Sequence, residues 1–142
     1  YGFPTALGVK VANPDKVVIS ITGDGGFQFA IQELATAKQF NINLITIVFN
    51  NSAYGNVRRD QETRFGGRVI GADLVNPDFL ALARAYGVQG YQTQDADGLR
   101  EVLRVAVVKD EPAVIEVILE TGCEVSPWPF ILRDAFTGNT VV

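Results

Sequence analysis

Histidine is absent from the 142 residues, which removes several mechanisms together: no Ser-His-Asp triad, no imidazole general base and no His-ligated zinc. Chemistry here must come from carboxylates, amides, backbone or a bound group. Cysteine is reduced to Cys123, which cannot close an internal disulfide and reads as a small apolar filler. No run is long and apolar enough to span a bilayer or to resemble a signal sequence, so no membrane partner is expected and the cytoplasm is the default location. Positive charge is also scarce. Twelve Lys and Arg stand against 16 Asp and Glu, a net charge of −4, and this gives no electrostatic reason to expect nucleic acid. Phosphate would have to be held by backbone dipoles or through a metal. A P-loop is excluded, because no glycine-rich turn runs into Lys followed by Ser or Thr.

What remains is a chain of single-domain length, 47% hydrophobic and 20% charged, sufficient for a real core. The β-branched run VVISITG (17–23) predicts a strand buried on both faces. FQFAIQELATAKQF (27–40) has helix spacing, with Phe27, Ile31, Leu34, Ala35 and Ala37 apolar, and LITIVFN (44–50) is a second strand. Residues 52–76 are polar and glycine-containing, and longer than usual for a connection; a fold over a ligand is one role for such a segment. Its arginines, Arg58, Arg59, Arg64 and Arg68, read as solvated or paired with Asp60 and Glu62. PDFLALARAYG (77–87) predicts a helix with Pro near its start and Gly at its end, VQGYQTQ (88–94) a weaker strand, DADGLREVLRVAVVKD (95–110) a helix capped by Asp, and PAVIEVIL (112–119) a last strand. With a small-residue helix at about 4–12, the order is helix, then βαβαβαβ.

Alternation of this kind predicts an α/β fold: three layers, a parallel sheet with helices on both faces. The expected division is a domain over 1–119 and a tail over 120–142, whose SPWPF (126–130) blocks regular helix and lies on the domain or on a partner, with Trp128 filling a groove. The opening YGFPTALGVKVANPDK, with no Met and an immediate small-residue helix, gives the expectation of a fragment whose N-terminal portion is missing.

The chemistry concentrates in Gly23-Asp24-Gly25-Gly26 and Asn50-Asn51, one helix and one strand apart. A helix of about 14 residues is ~21 Å long at ~1.5 Å per residue, and a strand of six is roughly as long, so the chain leaves the sheet at Asp24 and returns to the same edge at Asn51. In open α/β sheets, ligands bind at that edge. Gly25 and Gly26 let the backbone approach a ligand, and the following helix start suits phosphate. Asp24 would repel phosphate; a cation between them removes the conflict. Magnesium fits best, with the Asp24 carboxylate, the Asn51 amide oxygen and a nearby backbone carbonyl as protein ligands. Taken singly, each motif is more often an ordinary turn. A dinucleotide-binding unit fails twice: Gln28 stands where the last glycine of G-x-G-x-x-G belongs, and the next strand ends in Asn rather than an acidic residue.

GDG, then 24 residues, then NN, resembles the diphosphate-binding motif of thiamine diphosphate enzymes, and YGFPTALGVKVANPDK before it resembles the same family. The similarity covers nearly all of 1–119, nearest to the C-terminal domain of the acetolactate synthase-like branch. The resemblance implies thiamine diphosphate and Mg2+ as cofactors. It makes Asp24 and Asn51 the side-chain metal ligands and the main-chain oxygen of Ala53 the third, with Gly25 and Gly26 donating N–H groups to the diphosphate, beside Gly23. Asn50 would brace the turn, Tyr54 and Gly55 would form the wall beside the cofactor, and Glu33 has a structural role. It also implies decarboxylation and carboligation of pyruvate-type 2-oxo acids in a homodimeric or homotetrameric parent. The glutamate that activates the aminopyrimidine comes from a separate pyrimidine-binding domain, usually of another subunit. Nothing in this chain matches that domain. No catalytic residue is therefore assigned here, and the chain alone is expected to be inactive; a non-catalytic binding or regulatory module of the same fold is the other reading.

Overall fold

The computed structural model describes residues 1–123; the Trp128 segment and everything else from 124 onward lie outside the described residues. The elements run α1 (Gly2–Ala12), β1 (Ile19–Gly23), α2 (Asp24–Gln28), a 3-10 turn (Ile31–Glu33), α3 (Leu34–Gln39), β2 (Ile45–Asn50), α4 (Gly55–Arg64), α5 (Phe79–Ala85), β3 (Gln89–Thr93), α6 (Ala96–Lys109) and β4 (Ala113–Ile118). The strands form one sheet in the order β1-β2-β4-β3, every pair parallel.

Because strand side chains alternate between faces, the run 44–50 serves two cores. Leu44 and Val48, with Val114 of β4, meet Phe3 and Leu7 of α1, Phe27, Leu34 and Phe79. Ile45 and Ile47, with Ile115 and Val117, meet Leu99, Val102, Leu103 and Ala106 of α6. Helices thus cover both faces, the expected three-layer α/β arrangement. Phe27 sits at the centre of the first core, its ring 5.3 Å from Phe3 edge-on and 5.8 Å from Phe79, so the turn that begins at Asp24 is anchored three residues later by aromatic packing.

Four expectations are corrected. The strand at 17–23 is not buried on both faces: it begins at Ile19 and is an edge strand, with Ser20 buried but Ile21 69% exposed. The physical reason is that α6, the helix packed on that face, lies against β3 and β4. The single helix at 27–40 is broken instead. Ala30 leaves helical geometry (φ −140°), and the bonds Ala30 N–H to Phe27 O and Glu33 N–H to Ala30 O are three-residue closures. The break re-phases the buried set to Phe27, Ala30, Leu34 and Ala37, and leaves Ala35 exposed.

The polar stretch after Asn51 contains a helix, α4, that buries no residue. It has no apolar stripe to announce it; pairs Arg58–Glu62 and Arg64–Asp60 at i,i+4 run along its surface. Cys123 is exposed and fills nothing among the described residues. The helices at 77–87 and 95–110 are shorter than their runs because capping sets their starts: Asp78 accepts from Ala81 N–H at 2.8 Å and Asp95 from Gly98 N–H at 2.7 Å.

Candidate functional site

Gly23 of β1 lies beside Phe49 of β2 in the parallel register, so both strands deliver their next residues to one carboxyl edge. Asp24 starts α2 there and is 2% exposed; Asn51 follows β2 and is also buried. The Asp24 carboxylate accepts from the Gly25 N–H at 2.8 Å through Oδ1 and from Asn76 Nδ2 at 2.7 Å through Oδ2. Among the described residues no cationic side chain pairs with it. A carboxylate withdrawn from water without counter-charge is costly, and its hard oxygens are the donors that a hard divalent cation takes. The described residues hold no cluster of three His, Cys, Asp or Glu, so a cation at Asp24 would draw its other oxygens from amides, backbone and ligand.

The second turn is tight. Ser52 adopts φ +56°, the Asn51 side-chain oxygen accepts from Ala53 N–H at 3.2 Å, and the Asn51 carbonyl accepts from Thr121 Oγ1 at 2.7 Å. Ala53 is buried and bridges antiparallel to Asp73, flanked by Tyr54 N–H to Ala72 O and Leu74 N–H to Ser52 O, both 2.8 Å. Residues 72–74 therefore return to the Asn51 turn after α4. Tyr54 links the turns: a Cβ at Gly25 would lie 2.4 Å from Tyr54 Cε1. By contrast, a Cβ at Gly26 would meet only Thr22 Oγ1, at 3.2 Å, and one at Gly23 nothing within 4 Å. Gly23 and Gly26 are exposed, so backbone is open to a ligand at those two positions, and Gly55 begins α4 half-buried beside Tyr54.

Two details differ from the sequence reading. The Gly25 N–H is engaged by its neighbour's carboxylate, and the helix opening at Asp24 has five residues, so its dipole is that of little more than one turn. Glu33 accepts from Thr36 Oγ1 at 2.7 Å, a bond from the 3-10 turn to α3.

Four further polar residues converge that sequence reasoning passed over. Asn76 Nδ2 also donates to Asn50 Oδ1 at 2.7 Å, while Asn76 Oδ1 accepts from Gln28 Nε2 at 2.7 Å. Asn50 Nδ2 donates to Glu116 Oε1 at 2.6 Å, and Gln92 Nε2 to Glu116 Oε2 at 2.8 Å. The one signal available for Glu116 was its place as a lone charge inside the apolar run PAVIEVIL.

Residues 1–117 match the family described as "Thiamine pyrophosphate enzyme, C-terminal TPP binding domain". The chain belongs to that family. This cofactor-binding domain is 40% identical over 127 residues to the acetolactate synthase catalytic subunit, mitochondrial, of Aspergillus candidus, covering 89% of the chain and 18% of that protein. It is 36% identical over 130 residues to the probable acetolactate synthase large subunit of Methanococcus aeolicus, covering 91% of the chain and 22% of that protein. The chain spans about a fifth of the length of these relatives. Among solved structures, the thiamine diphosphate-dependent 4-hydroxybenzoylformate decarboxylase of Rhodococcus jostii RHA1 superposes with a TM-score of 0.78 at 34% identity, over 84% of this chain and 23% of that one. No helix among the described residues is long and apolar enough to cross a membrane.

Proposed function

We propose that the Asp24 and Asn51 turns of this thiamine diphosphate-binding domain form a magnesium–diphosphate clamp in an acetolactate synthase-like enzyme acting on 2-oxo acids. The observation that carries the reading is the buried Asp24 carboxylate with no cationic partner among the described residues, at the edge it shares with Asn51. Asp24, the Asn51 amide oxygen and the main-chain oxygen of Ala53 would hold the cation. The backbone at Gly23 and Gly26, open to approach, would take the diphosphate, with Tyr54 and Gly55 as the adjoining wall. The bound cofactor supplies the carbon nucleophile and electron sink for decarboxylation and carboligation of pyruvate-type substrates. This chain's residues bind and orient it.

The activating glutamate belongs, in this reading, to a pyrimidine-binding domain of the same enzyme, contributed by another subunit of a cytoplasmic homodimer or homotetramer. The 142-residue chain by itself then has no turnover. A module freed from cofactor binding would have no physical need for a buried carboxylate without counter-charge beside a paired amide turn, and that favours the enzyme. Titration calorimetry of thiamine diphosphate into the chain, with and without magnesium and with Asp24→Ala, is the test. Magnesium-dependent binding that the variant loses is the expected result; binding indifferent to both magnesium and Asp24 refutes the clamp. Consumption of a 2-oxo acid by the purified chain with both cofactors would refute the claim of inactivity.

A further inference from the structure

We infer that Glu116 and Asn76 are positioning residues for the metal turns: a buried carboxylate on β4 fixes Asn50, and Asn76 ties Asn50 to Asp24. The inference rests on the clamp reading above and adds to it the groups that hold its geometry. Glu116 is 4% exposed, sits at the centre of the sheet opposite Val48 and Gln92, and has no cationic partner among the described residues. Its two oxygens accept from two amides, Asn50 Nδ2 and Gln92 Nε2.

The Asn50 amide has one orientation that satisfies all its neighbours. Its Oδ1 accepts from Ser52 N–H at 3.1 Å and from Asn76 Nδ2, so its Nδ2 must face Glu116. A carboxylate, with acceptor oxygens only, enforces that orientation. Asn76 is likewise fixed, because Oδ1 takes the Gln28 donor and Nδ2 is shared between Asn50 and Asp24 Oδ2. The result is a continuous chain of bonds, Glu116 to Asn50 to Asn76 to Asp24, from the sheet interior to the carboxylate of the clamp. It passes through residues brought together from β4, β2, the segment before α5 and the start of α2. Removing groups that orient metal ligands costs about 10–100-fold in metal affinity, and that is the scale expected here.

The test uses the full chain and three variants. Glu116→Leu deletes both acceptors. Glu116→Gln retains an acceptor for Asn50, since the exposed Gln92 can turn its own amide to match. Gln92→Leu removes the partner that lies on the far side from Asp24. Expected are a loss of about tenfold or more in magnesium-dependent thiamine diphosphate affinity for Glu116→Leu, and wild-type affinity for Glu116→Gln and Gln92→Leu. In 15N spectra without ligand, Glu116→Leu shifts the Asn50 and Asn76 side-chain amides together with the Gly25 N–H. A folded Glu116→Leu with wild-type affinity, or with Asn76 and Gly25 signals unmoved, overturns the inference. Should that variant not fold, Asn76→Ala cuts the same chain from the half-buried loop side, and unchanged affinity in it overturns the inference equally. Absence of magnesium-dependent binding in the wild type, with the spectral coupling intact, refutes the clamp and leaves the bonds without this function.

Discussion

Glycines 25 and 26 are neighbours in sequence, yet alanine at each should do a different thing. At Gly25 the new Cβ would stand 2.4 Å from Tyr54 Cε1, 2.8 Å from Cδ1 and 3.0 Å from Leu74 Cδ1. Carbon atoms at rest sit ~3.5–4.0 Å apart, so the Tyr54 ring must retreat by about 1 Å. Forced repacking of this size costs about 1–3 kcal/mol, against up to ~1 kcal/mol returned by alanine's helix propensity in α2. The net loss is about 1–2 kcal/mol, a fall of roughly 3–10 °C in melting temperature for a domain of this size. At Gly26 the Cβ meets only Thr22 Oγ1 at 3.2 Å, a hydroxyl that can give by a few tenths of an ångström. There the helix term dominates and stability is unchanged or rises by up to ~1 kcal/mol. If the diphosphate runs along this backbone, Gly26→Ala nevertheless puts a methyl where the ligand must pass, and affinity should drop at least about tenfold, equivalent to ~1.4 kcal/mol. Thermal melts without ligand and calorimetry with magnesium and thiamine diphosphate separate the two quantities. A Gly26→Ala chain that binds as tightly as wild type refutes the placement of the diphosphate, and a Gly25→Ala chain that melts with wild type refutes the packing argument.

Three other outcomes follow from the same geometry. With magnesium and cofactor at about 100 times their dissociation constant, the chain should gain ~2.7 kcal/mol in stability, reversed by a chelator; Asp24→Ala should show no such gain in differential scanning calorimetry. Lys10, buried on α1, donates to Pro14 O at 2.9 Å and Lys16 O at 2.7 Å, so Lys10→Met should cost about 1–3 kcal/mol in urea unfolding; a smaller loss would mean that water replaces both bonds freely. Ile21 on the edge strand is largely exposed, and Ile21→Lys should leave stability within about 0.5 kcal/mol; a larger drop in the melt would show that this face is covered in solution.

Where apolar spacing is strong, the sequence announces the element. VVISITG, LITIVFN and PAVIEVIL alternate or run apolar as strands of a covered parallel sheet do, and all three pair in the sheet. Asp95 announced its helix because a side-chain oxygen at a helix start satisfies a free N–H locally, while the helix at 77–87 was announced by Pro77 and Gly87 at its ends and its Asp78 cap emerged only in the structure. α4 was invisible because it buries nothing; its residues are chosen by charge pairing, and polarity alone does not distinguish that from a loop. The break at Ala30 was invisible for another reason: Phe27, Ile31, Leu34 and Ala35 make an acceptable stripe for an unbroken helix, and the packing of Phe27 between Phe3 and Phe79 selects Ala30 instead.

The site divides along the same line. Asp24 and Asn51 could be read from sequence because chain connectivity alone, one helix and one strand between parallel partners, returns them to one sheet edge. Asn76, Gln28, Glu116 and Gln92 could not, since no local spacing relates a loop amide to a strand carboxylate dozens of residues away. Their meeting depends on β4 lying between β2 and β3 and on residues 72–74 returning to the Asn51 turn. Sequence by itself determined which oxygens stand at the carboxyl edge, because period and connectivity are properties of the chain. Tertiary structure alone decided what holds those oxygens in place, because hydrogen bonds between distant segments exist only after strand order and loop return have been set.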